Sequence, residues 1–128
     1  MSGYHTNIER KTEENDYFRE VLFTGPHSQL VVMALKPGED IGLETHPDTD
    51  QFIRVEEGTG RAVIGGQAYQ LEGGSAIVIP AGAEHNVINT AADEALKLYT
   101  VYTPPEHPDG TVHKTKAEAE AYEREHHH

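Results

Sequence analysis

Short apolar runs separated by turn residues occupy the chain from residue 19 to residue 102. They span 19–24, 29–36, 42–46, 51–56, 60–64, 67–71, 76–79, 85–89 and 95–102. Several alternate apolar and polar positions with the period of two that a half-buried strand requires. In the fourth run Gln51, Ile53 and Val55 share one face, and Phe52 and Arg54 share the other. No amphipathic helical period competes in this region, so the pattern predicts an all-β domain. Gly25-Pro26, Pro37-Gly38, Gly58, Gly65-Gly66, Gly73-Gly74 and Pro80-Ala81-Gly82 fall between the runs, where glycine supplies positive φ and proline presets a turn. So many antiparallel strands have edges to protect, and closure into a barrel or a double-sheet jelly roll is the usual solution.

The flanks differ in character. Residues 1–18 form a polar arm with the composition of a helical turn over 9–16, leading into the barrel region of residues 19–103. Residues 104–128 begin as a Pro/Gly-rich loop. Thr115 and Glu118 then have capping-box spacing, which opens a short solvated helix running to about residue 125. The closing His126-His127-His128 reads as a purification-tag remnant and is set aside from functional reasoning.

Length and composition narrow the function. A chain of 128 residues fits one compact domain and buries roughly two-thirds of its unfolded surface, enough for a core. Its apolar content of 36% is scattered in short runs, none of them long enough to span a bilayer. The opening residues lack the pattern of a signal peptide, so the expected location is the cytoplasm. Cysteine is absent, which leaves only His, carboxylate or amide oxygen to hold a metal. A formal charge of -12 repels phosphate backbones and anionic headgroups, so a small molecule is the expected partner, with no nucleic acid and no membrane.

Glu44 and His46 stand two residues apart, the spacing that puts two strand side chains on one face about 7 Å apart. Gln51 and His85 open two other runs, so four polar side chains from three strands are able to converge. The spacing from Gly74 through Pro80-Ala81-Gly82 and His85 to Asn89 matches the second sequence motif of the cupin superfamily in full. Gly38, His46 and Gly58 hold three places of the first motif, with Glu44 where its first His normally stands and Gln51 where its Glu stands. Fifteen residues separate Gly58 from Gly74, a spacer similar to that of microbial single-domain cupins. The whole chain resembles the small cupins labelled mannose-6-phosphate isomerase-like.

That resemblance implies a jelly-roll barrel (a double-stranded β-helix) with a short C-terminal helix, commonly a homodimer. It also implies one divalent ion (Mn, Fe, Ni, Co or Zn) at Glu44, His46, Gln51 and His85, with Glu44 and Gln51 either touching the ion or orienting what does. Exchanging the two positions keeps one carboxylate in the set. Six-coordination would leave two places for a bidentate hydroxy-acid or sugar-acid fragment, whereas a tetrahedral zinc would close the site. The expected activity is a metal-dependent isomerase or lyase acting on a small polar, carbohydrate-like or oxo/hydroxy-acid substrate. A non-catalytic metal or sugar-acid binding module and an iron-dependent dioxygenase are the alternatives. Asn89 is expected to serve backbone groups. His107, Asp109 and His113 are expected on a surface loop. Arg54, Arg61, Tyr69, Tyr99 and Tyr102 are further acid/base or anion-binding candidates, and no general base is assigned.

Overall fold

The computed structural model describes residues 2–126. In chain order its elements are α1 (Ile8–Glu14), β1 (Arg19–Thr24), β2 (Gln29–Leu35), β3 (Asp50–Glu57), β4 (Gly60–Ile64), β5 (Gln67–Leu71), β6 (Ala76–Ile79), β7 (His85–Asn89), β8 (Leu96–Thr103), β9 (Val112–His113) and α2 (Lys116–His126). The strands build an all-β jelly roll from a six-stranded sheet, ordered β6-β3-β8-β2-β1-β9, and a three-stranded sheet, ordered β5-β4-β7. Every paired strand runs antiparallel to its neighbour. No helix of the described residues is long and apolar enough to cross a membrane.

The core lies between the two sheets. Met33, Leu35, Ile53, Val55 and Leu98 from the large sheet meet Ala62, Leu71 and Val87 from the small one. Fully burying one such Val, Leu, Ile or Met is worth about 1.5–3 kcal/mol, so the alternation along β3 and β8 is strongly held in register. Strand β2 is buried on both faces: Val31, Met33 and Leu35 enter the core, and α1 lies across the outer side. Its continuous apolar run needs that cover. Asn7 caps α1, its Oδ1 accepting the Arg10 N–H at 3.0 Å.

Three local features depart from the sequence expectations. The run at 42–46 is not a strand, because Gly42 has φ +116° and gives its N–H to the Asn86 side chain, and Pro47 follows with no N–H to give. Only isolated bridges, Asp40 with Ile88 and Glu44 with His85, tie this segment to β7. Val112–His113 adds an edge strand to β1 inside what reads as loop. At α2 the capping box is half made: the Glu118 N–H donates to Thr115 Oγ1 at 3.1 Å, but the Glu118 carboxylate accepts the Lys114 N–H instead of that of Thr115. Ala119 anchors this helix in the core.

Candidate metal centre

Glu44, His46 and His85 each turn a ligand atom to the barrel interior, and these atoms lie within 4.8 Å of one another. The backbone sets this up. Glu44 and His85 form an antiparallel bridge, and the Gly82 N–H donates to the His46 carbonyl at 2.8 Å, so the irregular 42–46 segment is clamped against the start of β7. Gln51 begins the inward face of β3, between Ile79 of β6 and Tyr102 of β8, and is 3% exposed.

Hydrogen bonds around the imidazoles decide which nitrogens are presented. His85 Nδ1 is 2.9 Å from the Ala83 carbonyl, a pure acceptor, so it carries the proton and Nε2 carries the lone pair. His46 Nδ1 faces the Glu106 carboxylate at 3.3 Å, which leaves its Nε2 as the other lone-pair donor, 3.8 Å from the Glu44 carboxylate. That nitrogen is buried and has no hydrogen-bond partner. The Gln51 amide donates to Thr100 Oγ1 at 3.1 Å, and its Oε1 is likewise buried without a partner. An orphaned imidazole nitrogen beside a carboxylate and a second imidazole suits a divalent cation, which supplies what no protein donor here does.

Charge points the same way. Burial pushes the Glu44 carboxyl up, against the pull of His46 and Arg19. Burial also holds His85 below the usual imidazole range, against the Ala83 hydrogen bond and aided by His46. Without a cation the pocket resists both charges; a divalent ion stabilises the carboxylate and needs the imidazoles neutral.

The structure separates the remaining candidates. Asn89 is 1% exposed and serves the backbone: its amide donates to the Leu35 and Glu94 carbonyls and its oxygen accepts the Ala91 N–H. Tyr102 reaches the interior, edge-on to His46 at 6.0 Å between ring centroids, and burial raises its hydroxyl far above the phenol range, so it is no base. Arg54 pairs with Glu56, Tyr99 lies beside Phe52 on the outer face, and Tyr69 and Arg61 are exposed. His107 and His113, expected on a surface loop, are drawn inward: His107 is half-buried against Tyr102, and His113 is buried on β9 against Tyr122, whereas Asp109 is exposed as expected. Gln29 of β2, 1% exposed, donates to the His107 carbonyl and accepts the Glu106 and His107 N–H groups, which pins this loop against the barrel. The His107 ring then meets Tyr102 at 5.1 Å, and His113 is 8% exposed on β9.

Sequence reasoning missed Arg19, which is buried, and Glu106, a partly exposed carboxylate that reaches His46 from its loop. Arg19 was legible in principle, since it shares its strand face with the core residue Val21. Glu106 stands on a loop whose path no local pattern encodes.

Known proteins share the fold and much of the sequence. Residues 31–102 match the Cupin_2 cupin domain. The uncharacterized protein YrkC of Bacillus subtilis (strain 168) is 52% identical over 123 residues, covering 91% of this chain and 66% of that protein. The uncharacterized protein L612 of Acanthamoeba polyphaga mimivirus is 48% identical over 112 residues, covering 85% and 70%. The chain thus spans about two-thirds of the length of these relatives. The crystal structure of BH2720 from Bacillus halodurans superposes with a TM-score of 0.91 at 48% identity, over 94% of this chain and 95% of that one. With its domain match spanning most of the barrel and its interior Glu/His cluster at the cupin motif positions, the chain belongs to the cupin family.

Proposed function

We propose that this protein holds one divalent metal ion through Glu44, His46, His85 and Gln51 and acts on a small, polar, oxygen-rich substrate as a metal-dependent isomerase or lyase. The observation that carries the reading is the cluster of Glu44, His46 and His85 with its orphaned His46 Nε2; the buried, unpartnered Gln51 Oε1 at the start of β3 supports it. A bound ion would supply Lewis-acid polarisation of a substrate carbonyl or hydroxyl. The chain's own groups do the rest. Glu106 orients the His46 ring, the Ala83 carbonyl orients His85, and Thr100 engages the Gln51 amide, which leaves the Gln51 oxygen without a protein partner. Tyr102 keeps its proton, so it offers a hydrogen bond and takes none from carbon. The substrate class is supported by the polar groups buried in the barrel, Arg19, Gln51 and Thr100 among them, in addition to the cluster. Homodimerisation is supported by an apolar strip on the outer sheet, where Phe52 stands opposite Val78, 66% exposed, and beside Tyr99.

The test is to measure the metal content of protein prepared without its terminal histidines, then to incubate the loaded protein with sugar acids, keto acids and their neutral counterparts. Product detected by mass, dependent on the metal, supports the reading. Metal-dependent binding without turnover across the panel assigns a binding module instead, and iron-dependent oxygen consumption assigns a dioxygenase.

A further inference from the structure

Among the described residues, five buried side-chain polar atoms have no hydrogen-bond partner. Two belong to His46 and Gln51; the others are Arg19 Nε, His107 Nε2 and His113 Nδ1. These three residues sit together. Arg19 and His113 are directly opposed across β1 and β9, which places their side chains on one face. His107 packs on Tyr102, whose ring in turn meets His46. Arg19 also lines, with Phe18, Glu44, Ala119 and Glu123, a cavity of about 130 Å³ under α2.

Arg19 is the anomaly. It is 3% exposed, its guanidinium lies over the Phe18 ring at 5.2 Å, and no described carboxylate comes within the 4.0 Å of an ion pair. A buried guanidinium without a partner is costly, and its planar fork is shaped for a carboxylate. Glu44 is the nearest claim on its charge, yet a cation held by Glu44 would withdraw that claim. We propose that Arg19, flanked by His107 and His113, is the subsite for a carboxylate of the substrate, whose oxygen-rich end reaches Glu44, His46 and His85. This inference rests on the metal-binding reading and names the substrate as a small monocarboxylic acid.

The surrounding charges select for one negative charge and no more. Burial first, then Arg19 and His46, push His107 down to about 3, so it faces the ligand as a neutral imidazole, and His113 is lowered by the same burial and by Arg19. Lys116 is engaged by Asp40, Glu118 by the Lys114 N–H, and Glu106 by His46. Glu120 and Glu123 of α2 are exposed at the rim of the cavity. They repel a phosphate dianion more than a carboxylate, so an acid is favoured over a phosphate ester.

The experiment compares glucuronate, glucose and glucose 6-phosphate by calorimetry on manganese-loaded wild type, Arg19→Met and Arg19→Lys, with manganese stoichiometry measured in parallel. The wild type is expected to bind glucuronate at least tenfold tighter than glucose and tighter than the phosphate ester. Arg19→Met is expected to keep its manganese and lose the preference, and Arg19→Lys to recover part of it. The Arg19 Nε–H resonance of the metal-free wild type, a readout that needs no variant, is expected to shift on adding glucuronate and not glucose. An unmoved resonance, an Arg19→Met protein that still prefers the acid, or a tighter phosphate ester overturns the subsite while leaving the metal centre standing. A wild type that takes none of manganese, iron, cobalt, nickel and zinc overturns the metal reading, and the subsite with it.

Discussion

Glu44 and His85 exchange both backbone hydrogen bonds, each N–H donating to the other's carbonyl at 2.9 Å, so two side chains 41 positions apart in the chain are held as a directly facing pair. The bridge belongs to the backbone and survives truncation of either side chain. His85→Ala and His46→Ala are therefore expected to fold and to lose metal affinity by more than about 100-fold, beyond the 10–100-fold cost of removing a group that only orients a ligand. Metal analysis after dialysis, with circular dichroism as the folding control, checks this. Full metal content in both variants would rule the centre out.

Gln51 tests the outer limit of the cluster. Its amide bonds to Thr100 but its oxygen does not bond to any protein donor. Gln51→Leu removes that oxygen and is expected to weaken metal binding about tenfold, while Thr100→Val, which frees the amide to rotate, is expected to weaken it less. Equal affinity in wild type and Gln51→Leu, read by competition with a chelator, would place the amide outside the metal's reach.

Acid should destabilise the metal-free protein through His107. Its folded pKa, pushed down to about 3, lies below the ordinary value of 6.5, so the unfolded chain binds the extra proton first. Stability is then complete above about pH 6.5 and falls as the pH drops towards 3, at up to about 1.4 kcal/mol per pH unit from this one group. His85 and His113, lowered in the same direction, add to the slope, and Glu44, raised by burial, opposes it. Denaturant unfolding between pH 7 and 4 is expected to show a shallower loss for His107→Gln than for wild type. Parallel curves would show that burial does not suppress this histidine's proton. Metal affinity falls over the same range, because His85 must be neutral and Glu44 ionised to bind.

Short apolar runs between turn residues located eight of the nine strands, and β9 escaped; β3, β7 and β8 alternate because each buries one face against the core, whereas β2 reads as a continuous apolar run because both of its faces are covered. The turns at Gly58 and Gly74, with φ +98° and +94°, were legible for the same local reason, since only glycine adopts them without strain. His46 and His85 were legible through fixed motif spacing. What escaped is set by contacts between distant segments. Gln29, a polar residue in an apolar run, folds the 106–107 loop inward across a separation of 78 positions, and nothing near His107 signals it. Glu44 meets His46 and His85 although its segment is no strand, since the bridge to His85 imposes the extended geometry that the missing ladder would have supplied.

Asn89, buried at the end of β7, separates the scaffold from the chemistry. Its amide donates to the carbonyls of Leu35 at 3.0 Å and Glu94 at 2.8 Å, and its oxygen accepts the Ala91 N–H at 2.9 Å, so one side chain joins the end of β2 to the turn before β8. Asn89→Ala leaves buried backbone groups unpaired at about 1–3 kcal/mol each, and relaxation of the turn towards water limits the total to about 2–4 kcal/mol. Because none of these partners touches Glu44, His46, Gln51 or His85, metal affinity in the surviving folded fraction is expected to match wild type within twofold. Thermal unfolding paired with metal titration reads the two effects separately. A variant that keeps its stability but loses its metal would reverse the assignment, making Asn89 part of the centre and not of its frame.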